Sequence, residues 1–347
     1  MRRLLLQSVR SLSTSSDFKS IASMAPLNPA AQPWMVIPLV IRPFPPFTHV
    51  SPPTRLRAND IATQEAIHRL RNYVPPPTAY DTVPLSRRAA VLLLLYADPQ
   101  GDLRIVITIR AKTLRSYAGD AALPGGRADT LAETPFQTAR REAWEEIGLP
   151  NIGSPLPGPF AVEHLCEMPA NLAKTELVVR PCIALLHAHD ERTGESADPE
   201  VSLIPKLDAR EVAAVFTAPF KQFLAMRDEG LAHPPDWYRG SWSAWHNSNW
   251  RMHQFFVRPN RTAAVQPRRG NNADDNIESY RVFGMTARII VDAARLAFNT
   301  EPQFEHNSHF GDEAMIDRLR RLGKLAAIRK ASDELTRETM EKAAKLS

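Results

Sequence analysis

Three glutamates, Glu142, Glu145 and Glu146, lie within five residues in a segment that reads LPGGRADTLAETPFQTARREAWEEIGL from Leu123 to Leu149. On a helix, Glu142 and Glu146 project about 40° apart on one face, with Glu145 one step further round. Two carboxylates at ~5.5 Å repel by about 3 kcal/mol at an effective dielectric near 20. A purely structural helix gains nothing from that repulsion. A hard divalent cation with oxygen ligands turns it into binding. Such a cluster suits diphosphate hydrolysis, in which metal ions clamp phosphate oxygens and activate water.

The segment carries the signals of the helix that must hold these acids. Thr134 is an N-cap, Pro135 occupies the first turn, and Gln137 completes a Thr-x-x-Gln capping box. Gly148 stands where a left-handed C-terminal cap belongs. Phe136, Ala139, Ala143 and Ile147 form the apolar stripe, and Glu146 falls at its edge rather than opposite it. The preceding Gly125 and Gly126 permit a close backbone approach, with room for a phosphate.

Gly126, Glu133, Arg141, Glu142, Glu145, Glu146, Gly148 and Leu149 resemble the Nudix box, G-x5-E-x7-R-E-U-x-E-E-x-G-U with U aliphatic. Six residues rather than five separate Gly126 from Glu133, whereas the seven-residue spacing to Arg141 is intact. Ala143 is a small occupant of a U position. The resemblance implies the Nudix fold, an α/β mixed sheet between helices, and hydrolysis of a nucleoside diphosphate linked to another group. It implies Mg²⁺ or Mn²⁺ at Glu142, Glu145 and Glu146, and Arg141 tied back to Glu133; these five residues make up the expected catalytic set.

A second signature lies upstream. Arg110, Leu114, Arg115 and Gly119 match the extended motif that precedes the box in the coenzyme A diphosphatase subfamily. Tyr117, Ala121 and Leu123 stand where that motif has His, Val and Phe. Downstream, the stretches from Glu211 to Pro219 and from Phe283 to Thr286 also resemble subfamily elements. The chain as a whole is similar to the fungal coenzyme A diphosphatases of the peroxisomal type. The resemblance implies a coenzyme A or acyl-coenzyme A substrate, with 3′,5′-ADP and 4′-phosphopantetheine as products. Arg110, Lys112, Arg115, Gly125 and Gly126 are the expected substrate contacts, Arg115 first for the 3′-phosphate. The alternatives are another Nudix substrate, such as NADH or a nucleotide sugar, and a Nudix-fold binding module without catalysis.

Other residues that could do chemistry have simpler readings. Glu211 could be a late catalytic base, but a strand-edge surface acid is the plainer reading. His164, His187, His189, His246 and His253 lack tight metal spacing apart from His187-x-His189 and are expected in structural or surface roles. Trp237, Trp242, Trp245 and Trp250 could stack an adenine, but packing is the expected use.

The chain has 347 residues, 44% hydrophobic and 23% charged, which excludes collagen, coiled coil and a wholly disordered chain. Its net charge of +5 is unevenly spread. Arg2, Arg3, Arg10, Lys19, Arg42, Arg55 and Arg57 face Asp17 alone, so residues 1–57 carry +6 and the remainder −1. A near-neutral remainder argues against nucleic acid as the partner. The two cysteines, Cys166 and Cys182, support neither a disulfide framework nor a Cys-rich zinc site. No apolar run reaches the ~18 residues of a membrane span. The oligomeric state is not legible.

Residues 1–25 are expected to be a targeting segment. Their Arg, Leu and Ser content, with no acid before Asp17, suits a mitochondrial presequence; the family resemblance gives the peroxisome as the alternative. The closing Ala344-Lys345-Leu346-Ser347 misses a Ser-Lys-Leu address. Residues 26–57, with nine prolines, are expected to be a linker. Residues 58–84 are read as an N-terminal helix, from Asn59 to Tyr73, with its connection. Residues 85–300 are the expected hydrolase domain, and 301–347 a charged helical tail with one or two exposed helices. Within the domain the expected strands are Ala89–Tyr96, Leu103–Ile109, Leu177–Leu186, Glu211–Thr217 and Trp250–Val257, the first two joined by a hairpin turn at Asp98–Gly101. Besides the glutamate helix, helices are expected at Pro219–Arg227 and Met285–Phe298, and a surface insertion at Pro267–Ser279.

Overall fold

Helix α1 (Ala58–Arg71) buries Ala66 and Leu70 on one side and leaves Glu65 and Arg71 exposed. Strand β1 (Arg88–Ala97) follows and pairs through a hairpin with β2 (Leu103–Arg110). The Asp98 carboxylate closes that turn by accepting from the amides of Gln100 and Asp102, and Gly101 takes a left-handed φ of 83°. The computed structural model describes residues 58–111, 119–190, 192–203, 212–227, 237–245, 248–258, 264–265, 279–328 and 335–346.

Two short strands come next, β3 (Ala121–Ala122) on β2 and β4 (Gly125–Arg127) on β1, and lead into helix α2 (Pro135–Ile147). Strands β5 (Ala161–Glu167), β6 (Asn171–Leu172) and β7 (Val178–His187) follow. The small hairpin of β8 (His189–Asp190) and β9 (Glu195–Ser196) and the short helix α3 (Pro199–Ser202) precede β10 (Val212–Pro219). Then come β11 (Tyr238–Trp245), β12 (Ser248–Val257), β13 (Ala264–Val265), β14 (Tyr280–Phe283) and helices α4 (Gly284–Phe298), α5 (Glu313–Arg321) and α6 (Arg337–Ala344).

The main sheet runs β13-β10-β2-β1-β7-β5, with β3, β4 and β6 added beside their partners. β1 and β7 are parallel, Arg88 opposite Val178, and the other pairings are antiparallel, so the sheet is mixed. β1 lies between β2 and β7, which explains its nearly continuous apolar run. Its alternate residues serve two cores. Leu93 and Leu95 pack with Ala66 and Leu70 of α1 and with Ile290, Ala293 and Ala294 of α4. Ala90, Leu92, Leu94 and Tyr96 pack with Ala139, Ala143 and Ile147 of α2. The sheet therefore lies between α2 on one face and α1 with α4 on the other, the α/β sandwich expected.

Three local outcomes differ from the sequence reading. The helix expected at Pro219–Arg227 shrinks to a 3₁₀ turn, Phe220–Leu224. Phe220, Phe223 and Leu224 are all buried there, and ring contacts to Phe298, Trp237 and Phe255 tie them down. Strands β5 and β11 form where the sequence carries no clear strand pattern. Polar residues interrupt the apolar pattern of β5, and Gly240, Ser241 and Ser243 dilute that of β11. Helices α5 and α6 form where the charged tail was read, but they are not simply exposed. Ile316, Leu319, Met340 and Ala343 are buried in a third core with Tyr80, Val83, Leu172 and Val178. The segments at 1–57 and 267–278 lie outside the described residues.

A polar network fills the space between α4, the β11–β12 hairpin and residues 299–312. The Tyr238 hydroxyl is 3.0 Å from His253 Nδ1, and His253 Nε2 is 2.8 Å from His306 Nδ1. His306 Nε2 is 2.8 Å from Asp292 Oδ1, and Arg288 reaches Asp312 at 2.9 Å. Among the described residues no helix is long and apolar enough to cross a membrane.

Candidate active site

The local chemistry of α2 sets the direction of its acids. Thr134 Oγ1 accepts from the Gln137 amide while the Gln137 side chain accepts from the Thr134 amide, closing the capping box. Gly148 ends the helix in a left-handed conformation at φ 67°. Ala139, Ala143 and Ile147 are drawn onto the sheet. That rotation leaves Glu142 half-buried, sends Glu145 outward, and carries Glu146 inward to 3% exposure.

Arg141 is the hub. Its Nε lies 2.9 Å from Glu133 Oε1 and 3.3 Å from Asp129 Oδ2. Its Nη1 lies 3.1 Å from Glu142 Oε1 and 3.5 Å from Glu145 Oε1, and its Nη2 donates to the Arg127 carbonyl at 2.7 Å. The other Glu133 oxygen accepts from the Asp129 amide at 2.8 Å and from Thr138 Oγ1 at 3.1 Å. Burial raises the Glu133 carboxyl pKa, but the hydrogen bonds from Arg141 and the Asp129 amide outweigh it and hold the pKa below its ordinary value. Burial likewise opposes the Arg141 charge, yet the hydrogen bond to Glu133 and the charge of Glu142 prevail, so its pKa is raised and it stays a cation. The one-residue-longer loop between Gly126 and Glu133 is thus still pinned to the helix at both carboxylate oxygens.

The glycine pair seats the other two acids. The Gly125 amide donates to Glu146 Oε2 at 3.1 Å. A Cβ on Gly125 would meet the Ala90 carbonyl oxygen at 2.4 Å and Val91 Cα at 2.6 Å, so the turn runs directly against β1. A Cβ on Gly126 would sit 2.4 Å from the carboxyl carbon of Glu142. Glu142 therefore rests in the space where any other residue would carry a side chain. Arg110, at the end of β2, brings its Nη1 to 3.9 Å from Glu146 Oε1.

Glu142, Glu145 and Glu146 place carboxylates, the donor chemistry that a hard divalent cation takes, on neighbouring positions of one helix. Among the described residues no three His, Cys, Asp or Glu side chains already stand together in the geometry of a metal site. Here the carboxylates of Asp129, Glu133, Glu142, Glu145 and Glu146 outnumber the two guanidiniums, Arg141 and Arg110, that they meet.

Of the residues read from sequence, Glu133, Arg141, Glu142, Glu145, Glu146, Gly125, Gly126 and Arg110 come together here. Lys112, Arg115, Tyr117 and Glu211 lie outside the described residues. Asp129 and Thr138 join the site without being part of the sequence motif. Asp129 sits in the lengthened loop and Thr138 on the first turn of α2, five residues after Glu133, a spacing that could have suggested the contact.

The histidines and tryptophans are placed elsewhere. His164 stacks on Phe136 with ring centroids 4.0 Å apart, and burial lowers its pKa. His187 pairs with Glu163 at 2.9 Å, and His189 with Ser196 at 2.8 Å. Trp237 is buried against Phe223 and Phe255. Trp242 donates to Glu305 at 2.7 Å, and Trp250 lies under the Arg288 guanidinium. His246 and the Trp245 side chain are not among the described groups.

The family signature described as the NUDIX domain matches residues 86–165. The chain is 33% identical over 168 residues to the peroxisomal coenzyme A diphosphatase 1 of Saccharomyces cerevisiae, a match covering 46% of this chain and 49% of that protein. It is 31% identical over 218 residues to the mitochondrial Nudix hydrolase 15 of Arabidopsis thaliana, covering 63% and 61%. The chain thus spans about half to three-fifths of these two relatives. It is also 32% identical over 181 residues to the uncharacterized Nudix hydrolase NudL of Escherichia coli, covering 49% of this chain and 75% of that protein. With Glu133, Arg141, Glu142, Glu145 and Glu146 gathered at a Gly-Gly turn, and a relative matched over three quarters of its length, the chain belongs to the Nudix hydrolase family.

Proposed function

We propose that the protein hydrolyses the diphosphate bond of coenzyme A or its acyl thioesters to 3′,5′-ADP and the corresponding 4′-phosphopantetheine. The observation that carries the hydrolytic reading is the carboxylate set of α2, held by Arg141 and seated on Gly125 and Gly126. The choice of substrate rests on the motif from Arg110 to Gly126 and on the likeness to the yeast coenzyme A diphosphatase.

Glu142, Glu145 and Glu146 would hold Mg²⁺ or Mn²⁺, which when bound neutralises the diphosphate oxygens and makes water a stronger nucleophile. Arg141 keeps Glu133 and Glu142 in one orientation, so the carboxylates need no reorganisation as substrate arrives. The Gly125 amide holds Glu146 Oε2 and leaves Oε1 turned towards Arg110. Water supplies the oxygen that bonds to phosphorus, and the bridging oxygen leaves on the other phosphate. No side chain forms a covalent intermediate. Lys112 and Arg115 are the proposed contacts to phosphate groups, Arg115 to the 3′-phosphate.

The test is a panel of coenzyme A, 3′-dephospho-coenzyme A, NADH and a nucleotide sugar with Mg²⁺, with products identified by mass spectrometry. The expected result is the highest kcat/KM on coenzyme A, with release of 3′,5′-ADP. Faster hydrolysis of NADH or the nucleotide sugar would overturn the substrate assignment. The basic residues 1–23 support delivery to the mitochondrion, and the names of the two relatives are compatible with mitochondrion or peroxisome. A fluorescent fusion of the full chain separates the two.

A further inference from the structure

We propose that Arg110 is an internal counter-cation that occupies Glu146 in the metal-free enzyme and gives it up when a divalent ion binds, so that metal occupancy releases a guanidinium for the substrate. The inference rests on the reading of the α2 carboxylates as cation ligands and adds a residue that links metal binding to substrate binding.

Three observations support it. Glu146 is the most buried acid of the set at 3% exposure, so its charge is poorly served by solvent. The Gly125 amide engages Oε2, while Arg110 Nη1 stands 3.9 Å from Oε1. The Arg110 Nε is buried without a hydrogen-bond acceptor, so the guanidinium reaches Glu146 at the expense of one of its own donors.

The backbone supplies the mounting. Arg110 closes β2, where its amide donates to the Asp120 carbonyl and its carbonyl accepts from the Gly119 amide, each at 3.0 Å. Residues 121–122 then pair with 108–109, and the chain runs on into Gly125 and Gly126. The segment that positions Arg110 is therefore continuous with the one that holds Glu146. Arg141 differs in kind. Its Nε is committed to Glu133 and Asp129 and its Nη2 to the Arg127 carbonyl, so it remains in place whatever Glu142 and Glu145 bind.

The test is Mn²⁺ binding followed by electron paramagnetic resonance, without substrate, in wild type, Arg110→Gln and Arg110→Lys. Removing a competing positive charge at this range should tighten Mn²⁺ binding in Arg110→Gln by about tenfold. Arg110→Lys, which keeps the charge, should stay within about twofold of wild type. The KM for coenzyme A should move the opposite way and rise in Arg110→Gln, a split that loss of structure does not produce. Unchanged or weaker Mn²⁺ binding in a folded Arg110→Gln protein overturns the proposal.

Wild-type protein provides a check that needs no variant. The Arg110 Nε signal in the arginine side-chain ¹⁵N spectrum should shift as Mg²⁺ is added. A signal unmoved through saturation overturns the proposal. If wild type binds no Mn²⁺ at all, the reading of the carboxylates as cation ligands falls, and this inference with it.

Discussion

Arg141 Nε lies 2.9 Å from Glu133 Oε1, joining the second turn of α2 to the residue just before its cap. The contact fixes the loop from Gly126 to Glu133 on the helix that carries the acids. Because the same guanidinium also meets Glu142 and the Arg127 carbonyl, three elements share one side chain.

Arg141→Lys keeps the charge but loses the planar fork that serves those partners together. The expected outcome is a folded protein whose kcat falls by more than about tenfold, from loss of pre-organised electrostatics. Steady-state kinetics with circular dichroism check it. Wild-type kcat in the lysine variant would show that charge alone suffices.

The two glycines should separate stability from activity. Gly126→Ala places its Cβ against the Glu142 carboxylate, the mobile end of a long side chain that can swing aside. Tm should change little while turnover drops. Gly125→Ala places its Cβ against the Ala90 carbonyl and Val91 Cα, which cannot swing aside. It should lose about 2 kcal/mol or more of folding stability, the scale of overpacking a tight site. Urea unfolding of both variants, with activity measured in parallel, distinguishes the two effects.

The network beyond the site makes stability sensitive to acid. His253 is engaged at both ring nitrogens, by the Tyr238 hydroxyl on one side and His306 on the other, and His306 in turn meets Asp292. Burial, followed by the neighbouring His306, Arg251 and Arg288, pushes the His253 pKa down to about 3. Unfolded, the same imidazole titrates near ~6.5. The unfolded chain therefore takes up a proton that the folded chain refuses. The stability from His253 is fully present above the unfolded value and is lost as pH falls from there towards the folded one. Urea unfolding between pH 7 and pH 4 should show a shallower decline in His253→Gln than in wild type. Parallel declines would contradict this assignment.

Helix α2 was legible because its signals are local. Thr134, Gln137 and Gly148 declare its ends, and the stripe of Ala139, Ala143 and Ile147 sets its rotation and hence the directions of Glu142, Glu145 and Glu146. The contact of Arg110 with Glu146 was not legible, because 36 residues separate the two and the pairing of β2 with β3 and β4 with β1 brings them together. The interior of α4 was hidden for another reason. Arg288, Asp292 and Arg295 are charged residue types with no sequence signal for burial, yet all are buried because residues 299–312 return to meet them. The buried faces of α5 and α6 likewise depend on Tyr80 and Val83, far back in the chain.

If the α2 carboxylates drive hydrolysis of coenzyme A, 3′,5′-ADP should form from coenzyme A with Mg²⁺ at a rate that depends on Glu146. Wild type should turn over measurably, and folded Glu146→Gln should lose about hundredfold or more, the scale of removing one pre-organised electrostatic element. Equal rates in the two proteins, or no 3′,5′-ADP from wild type, would contradict the proposed function.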